Sequence, residues 1–210
     1  MHRTRRRSVD PKIPSAFNGC YALKIIALSA LLTLSFKPVV AAERYKSTPE
    51  AVFDCREPDR VFKQCAVAGS DGQPRLTPAY LSRLKFDSDG LASVLLLDAA
   101  DTQKHQWFYV RRGGIPVPVE SFDNGPDQFN GGLARSRVGG KTGYIDRRLN
   151  LVIPAKYDGA YPFEQGVAVV CQACVIVSDG THSWYEGGQW GRIDRRGRVV
   201  TPFHAWEKGQ

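Results

Sequence analysis

The chain has 210 residues with 29 Lys and Arg against 21 Asp and Glu, a formal net charge of +8. Such a basic excess would indicate a nucleic acid or an anionic membrane as partner. However, seven of the basic residues and only one acid lie in residues 1–42, which leaves 22 basic and 20 acidic residues, a net charge of +2, in the remainder. We therefore expect no nucleic-acid partner, and residues 43–210 suit one domain or a small array of repeats.

Residues 1–42 have the pattern of a secretory signal peptide. A basic start with Arg3, Arg5, Arg6, Arg7 and Lys12 precedes an apolar run over residues 25–36, and Val40-Ala41-Ala42 supplies small residues for cleavage. A membrane span needs about 20 apolar residues, so this run is too short to be an anchor. We expect cleavage after Ala42, a periplasmic or secreted protein, and no stable membrane insertion once the signal is removed.

Residues 43–85 form a polar, Pro-rich N-terminal lead-in that contains Cys55 and Cys65. Pro78 to Leu84 predicts one short turn of helix within it. The exported part also contains Cys171 and Cys174, and an even number of cysteines in an exported chain indicates disulfides. Four cysteines allow three pairings, of which we favour the local one, Cys55–Cys65 with Cys171–Cys174.

A sequence segment is repeated three times within residues 86–206. The clearest copies are GKTGYIDRRLNLVIP, residues 140–154, and GQWGRIDRRGRVVTP, residues 188–202, and each follows a lead-in that starts with an aromatic residue. A degenerate copy with Tyr109 and Pro118 precedes them. We place the three units at residues 86–118, 129–154 and 163–202, and such repetition predicts a stack of small units.

Each unit reads as strand, turn, strand. Apolar residues alternate on both sides of the polar Asp-Arg-Arg triplet, as a hairpin requires. Gly197 supplies a positive φ at this turn in the third unit, and Asn150 is expected to take that conformation in the second. The fold class is therefore all-β: stacked short β-hairpin or meander units behind a disulfide-stapled lead-in.

The units resemble the WG-repeat (KWG) family, whose motif is G-x-W-G-[YFL]-I-D-x-x-G-x-x-V-[IV]-P. Residues 188–194 and 140–146 carry this motif, with Tyr157-Asp158 as the pair that often follows it. Thr142 replaces the tryptophan in the second unit, and Arg192 takes the usual aromatic place in the third. The resemblance implies short β-hairpin units and brings no common catalytic activity. The letters Trp190-Gly191-Arg192 also occur in DNA-binding WGR domains, but there a second glycine follows, whereas Ile193 follows here.

Cys171-Gln172-Ala173-Cys174 is the sharpest candidate for chemistry. A redox-active CxxC needs a helix N-terminus that lowers the thiol pKa, but this motif lies in the β-branched run VAVVCQACVIV. A structural disulfide at the base of an insertion is favoured, provided that Gln172-Ala173 makes a tight turn. One CxxC supplies only half of a zinc site, so we expect no metal and no cofactor.

The recurrent acids Asp146 and Asp194, with Asp158, could be read as paired carboxylates of a glycosidase. Their position beside two arginines at a turn favours a turn-stabilising role, and we predict no catalytic residues. The insertion at residues 171–187 has the composition of a recognition loop, with His182, Trp184 and Tyr185 as candidate contact residues. The sequence thus predicts a non-catalytic exported protein of a bacterial envelope that binds a protein or glycan. The alternative is a thiol-disulfide or other redox accessory that uses Cys171 and Cys174.

Overall fold

The computed structural model describes residues 51–205, and regular structure in this range is almost entirely β. One four-residue helix, α1 (Pro78–Leu81), lies where the sequence predicts a turn of helix. The strands in chain order are β1 (Val52–Arg56), β2 (Val61–Ala68), β3 (Pro74–Leu76), β4 (Leu91–Asp98), β5 (His105–Arg111), β6 (Val117–Val119), β7 (Ser121–Phe122), β8 (Gly125–Pro126), β9 (Leu133–Val138), β10 (Lys141–Asp146), β11 (Leu151–Tyr157), β12 (Gly159–Ala160), β13 (Val167–Gln172), β14 (Val175–Ser178), β15 (Ser183–Glu186), β16 (Gln189–Asp194) and β17 (Val199–Ala205). The predicted all-β class is confirmed.

The predicted signal peptide, residues 1–42, lies outside the described residues. Within residues 51–205 no helix is long and apolar enough to cross a membrane.

The lead-in and the first unit form one sheet of six strands, in the order β3-β2-β1-β4-β5-β6. Strand β1 pairs antiparallel with β4, the first strand of the first unit, so the lead-in continues the sheet of that unit. The predicted disulfide between Cys55 and Cys65 links β1 to β2, with a Cα–Cα distance of 5.7 Å. Both cysteines are fully buried, so this disulfide lies inside the first sheet.

The second and third units form sheets of their own, in the orders β11-β10-β9 and β12-β13-β16-β17. All three units share one equivalent cross-strand pair between their last two strands. The cross-strand pairs are Tyr109 with Val117, Tyr144 with Ile153, and Arg192 with Thr201. The repetition in the sequence is therefore a repetition in space, and any position can be compared across the three units.

Buried side chains fill the spaces between consecutive sheets. One cluster joins the first and second units and includes Tyr109, Val117 and Ile145. Another joins the second and third units and includes Tyr144, Ile153, Phe163, Ala168 and Ile193. Because alternate residues of a strand point to opposite faces, each inner sheet contributes one set of side chains to the unit before it and another to the unit after it.

Both junctions between units use the same contact. A tyrosine on the second long strand of one unit donates a hydrogen bond to the backbone carbonyl two residues before the lead aromatic of the next unit. These bonds join Tyr109 Oη to the Asp127 carbonyl at 3.0 Å and Tyr144 Oη to the Tyr161 carbonyl at 2.8 Å. The same tyrosine rings pack against the lead aromatics Phe129 and Phe163, with centroid distances of 4.9 and 4.8 Å. Burial raises the pKa of both tyrosines, so both hydroxyls stay protonated donors at neutral pH.

The hairpin turns differ from the prediction in one residue. Gly197 has the expected positive φ of 76°, but in the second unit the positive φ of 67° belongs to Leu149, and the prediction that assigned it to Asn150 is wrong. Asn150 instead donates its backbone N–H to Asp146 Oδ1 at 2.9 Å. Leu149 tolerates the conformation because its side chain is buried in the cluster between the first and second units.

The glycine of the WG motif allows two strands to approach each other closely. A Cβ at Gly143 would lie 2.4 Å from the Ile153 carbonyl oxygen and 2.7 Å from the Ala155 nitrogen. The pairing of β10 with β11 shifts register at this point, and β16 with β17 shifts at Gly191. The motif therefore marks a β-bulge that bends the hairpins of the second and third units, whereas the pairing of β5 with β6 in the first unit has no register shift.

Candidate functional site

The outer face of the third sheet is the surface that another unit would cover if the stack continued. Four side chains define this terminal face: Val167, Val169, Arg192 and Thr201. In the second unit the residues at the same register positions are Leu133, Arg135, Tyr144 and Ile153, all of them buried against the third unit. On the terminal face, Arg192 is exposed and the two valines are only partly buried.

A groove of about 910 Å³ runs over the terminal face. Its floor includes the four residues of that face, and its walls carry aromatic side chains. Tyr161 is 40% exposed and Trp184 is 38% exposed. The Tyr161 ring stacks near Trp190 at 6.1 Å and meets the Tyr185 ring edge-on at 5.9 Å. Concave sites lined by aromatic side chains with a few polar groups are typical of ligand-binding surfaces.

One wall of the groove comes from the insertion in the third unit. This insertion folds into a two-stranded hairpin of β14 and β15, which we call the insertion hairpin. Its base is closed by the predicted disulfide between Cys171 and Cys174, whose Cα atoms are 5.9 Å apart. The required tight turn is present: Ala173 has a φ of 56° and donates its N–H to Asp158 Oδ2 at 2.8 Å.

The surroundings of this disulfide favour a structural role. Cys171 is 0% exposed and Cys174 is 8% exposed, and both pack against Trp190. Strand β14 begins directly after Cys174, and within residues 51–205 no helix begins beside either sulfur to stabilise a thiolate. The disulfide thus holds the insertion hairpin beside the terminal face.

The structure separates the three residues predicted as contacts. Trp184 and Tyr185 line the groove, whereas His182 lies at the tip of the insertion hairpin and is not among the lining residues. Trp184 Nε1 donates to Glu186 Oε1 at 2.7 Å, which orients the exposed indole. Tyr185 packs so closely on residue 159 that a Cβ there would lie 2.5 Å from the ring, so Gly159 is required.

Sequence reasoning missed Tyr161 and the role of Arg192. Tyr161 precedes the third unit and carries no repeat signal of its own. Arg192 was visible as a departure from the aromatic found at Tyr144, but its meaning depends on knowing which face of the sheet is left open. Its guanidinium makes no hydrogen bond or ion pair with any side chain of residues 51–205.

Charged side chains of both signs surround the groove. Glu164 and Glu186 stand on its walls, and Arg192 lies on its floor. His204, which pairs across the sheet with Trp190, also lines it. Just outside it, the hydrogen bond from Lys141 and that from the Ala173 N–H lower the pKa of Asp158. Burial raises the pKa of Tyr185, so its hydroxyl remains protonated at neutral pH.

The recurrent acids hold turns, as their positions beside the arginine pairs predict. Asp146 Oδ1 accepts the Arg148 and Asn150 N–H groups, each at 2.9 Å. Asp194 Oδ1 accepts the Arg196 and Arg198 N–H groups at 2.9 and 3.0 Å. In the part of the chain that the structure describes, no group of three or more His, Cys, Asp and Glu side chains is placed to hold a metal ion.

A family model described as "WG containing repeat" matches residues 143–173. The matched segment starts at the glycine of the second unit, runs through β11 to β13 and ends in the turn between Cys171 and Cys174, so it spans the junction between the second and third units. In comparisons with curated proteins and with solved structures, nothing matches the chain. The repeated hairpins, the cross-strand pair that they share and the family match agree, and the chain contains a WG repeat over residues 143–173.

Proposed function

We propose that the chain is a non-catalytic, exported interaction module of a bacterial cell envelope, which binds an envelope protein or glycan in the groove on its last repeat. The observation that carries this proposal is the pair of exposed aromatic rings, Tyr161 and Trp184, on the walls of a groove of about 910 Å³. The groove has exposed aromatic walls and partly buried valines on its floor. A ligand that fills it removes this apolar surface from water, which stabilises the complex.

The two disulfides support an oxidising compartment, because such bonds form and persist outside the cytosol. Intact-mass analysis of protein recovered from a bacterial periplasmic fraction tests export. We expect the mass of a polypeptide that begins at Glu43, reduced by the mass of the four hydrogens that are lost when two disulfides form. A mass that begins at Met1, or free thiols on a freshly isolated sample, would contradict the exported state.

Binding is tested by offering the same exported protein to a displayed peptide library and to an array of envelope glycans. Trp184→Ala should lose the selected ligand, since it removes one aromatic wall. Ile115→Ala is the matched control: Ile115 is 54% exposed, lies in the turn between β5 and β6, and does not line the groove. If neither library yields a ligand that depends on Trp184, the proposed function is wrong.

A further inference from the structure

The junctions inside the chain show what kind of structure fits the terminal face. At both junctions the equivalent face is covered by a polypeptide lead-in that places one aromatic ring and one backbone carbonyl over the second long strand. The covered face of the second unit and the groove floor of the third unit are built from equivalent register positions. The shape of the terminal face therefore complements an extended peptide with an aromatic side chain.

The substitutions on the terminal face change its chemistry but keep a hydrogen-bond donor at the same position. Where Tyr144 donates a hydroxyl proton to a backbone carbonyl, Arg192 offers a guanidinium with five N–H donors. A guanidinium also packs on aromatic faces, as Arg147 does on Phe129 at 5.0 Å from the ring centroid. Arg192 can thus take over both contacts of the tyrosine, the hydrogen bond to a carbonyl and the contact with a lead aromatic.

A second copy of this chain, stacked head to tail, does not fit this position. The first sheet would have to offer its outer face, but that face already packs on Tyr80 of helix α1, together with Leu76 and Phe86. Among residues 51–205 the outer face of the first sheet is therefore covered, whereas Arg192 on the terminal face is exposed. An occupant must come from a different polypeptide surface.

The acidic side chains define the charge of the occupant. Glu164 makes no hydrogen bond to another side chain of residues 51–205, and the Oε2 atom of Glu186 is left free by Trp184, which uses Oε1. Two carboxylates on the walls favour a Lys or Arg close to the aromatic residue of the ligand. Negative charges on the walls of the groove speed the association of a basic ligand and disfavour acidic ligands.

From these contacts we propose that the terminal face binds an extended segment of a partner protein that lies where the lead-in of a further repeat would lie. Its aromatic side chain packs on Arg192 between the two valines, its backbone carbonyls accept from the guanidinium, and its basic residue pairs with Glu164 or Glu186. This inference rests on the proposed function and names its ligand as a polypeptide.

The probe is a displayed library of random twelve-residue peptides, selected against the exported protein with its disulfides intact. We expect enriched peptides that carry an aromatic residue with a Lys or Arg nearby. For such a peptide, Arg192→Glu should raise Kd about tenfold or more. The substitution removes a charged donor and places a carboxylate, which repels carbonyl oxygens, opposite the backbone carbonyls of the peptide. Arg196→Glu is the matched control: it makes the same charge change on an exposed turn of the same unit, and Kd should hold.

A second variant protects the test against a folding defect. Thr201→Arg fills the groove floor from the neighbouring strand and should also weaken binding, while thermal unfolding of both variants stays near that of the wild type. The inference would be overturned if enriched peptides bound both variants with the Kd of the wild type. It would also be overturned if the library yielded no peptide with an aromatic residue. A glycan that binds in a Trp184-dependent manner while peptides fail would leave the proposed function in place and refute the polypeptide ligand.

Discussion

The buried ion pair between Asp127 and Arg135 is expected to be one of the most costly polar contacts to break. Asp127 is fully buried and Arg135 is 6% exposed. The carboxylate accepts the Arg135 backbone N–H at 2.7 Å and the guanidinium Nη2 at 2.6 Å, and Nη1 donates to the Ala160 carbonyl at 3.0 Å. Burial alone would lower the pKa of Arg135, but the bond and charge of Asp127 raise it. The pair ties the approach to the second unit, its first strand and the approach to the third unit together.

Asp127→Asn keeps the volume of the side chain and removes its charge. Removing one partner of a buried ion pair costs about 3–5 kcal/mol, and Asn keeps one acceptor, so we expect a loss of about 3 kcal/mol. At about 2–4 °C per kcal/mol for a chain of this size, the midpoint of thermal unfolding should fall by roughly 6–12 °C. Urea unfolding followed by tryptophan fluorescence, without reductant, measures the free energy directly.

Two further variants make this prediction refutable. Lys104→Gln breaks an exposed ion pair with Asp101 and should leave the urea midpoint nearly unchanged. Adding Arg135→Met to Asp127→Asn removes the uncompensated charge and should recover most of the lost stability, which a double-mutant cycle quantifies. A loss below about 1 kcal/mol for Asp127→Asn would refute the reasoning, since the guanidinium would then be well solvated without its partner. No recovery in the double variant would also refute it.

Two other changes test the repeat geometry and the base of the insertion hairpin. Gly143→Ala should lower the urea midpoint strongly, because its Cβ would lie 2.4 Å from the Ile153 carbonyl, whereas Gly113→Ala, which meets nothing within 4 Å, should not; equal effects would contradict the close approach. Asp158→Asn should cost about 1–2 kcal/mol at pH 7, because a carboxylate that accepts two hydrogen bonds is lost. Since the folded pKa of Asp158 is lowered, its contribution is full above the unfolded pKa of about 3.9 and disappears as pH falls through the folded pKa. The difference between wild type and variant in urea unfolding should therefore shrink below about pH 4, and a difference that is constant down to pH 2.5 would contradict this assignment.

Local signals in the sequence predicted the local features of the fold. Three signals were sufficient for this: the alternation of apolar residues, the turn glycine at Gly197 and the even number of cysteines. Each predicts a structure that depends on contacts between near neighbours in the chain. The short pairing of Cys171 with Cys174 belongs to the same class, because its geometry needs only one tight turn. Such features can be derived from residue spacing alone.

The features that the sequence did not reveal depend on contacts between distant residues. Nothing in residues 43–85 indicates that β1 pairs with β4, because the partner strand lies some 40 residues away and carries no complementary pattern. The positive φ of Leu149 escaped prediction for a similar reason. Intrinsic preference favours Asn there, and only the buried cluster around Leu149 outweighs that preference.

The departure of the last unit from its own repeat pattern is open to two physical readings. Repeat arrays need a polar cap at each end for solubility, and replacing Tyr144 and Ile153 with Arg192 and Thr201 would supply one. Exposed aromatic rings, however, do not contribute to the solubility that a cap provides. Tyr161 and Trp184 are 40% and 38% exposed and lie beside partly buried valines. Positions where the local pattern and the overall fold disagree are where function is expected. The terminal face combines a donor that no side chain of residues 51–205 uses with one wall, the insertion hairpin, that a disulfide holds in place, and this combination suits a binding surface better than a polar cap.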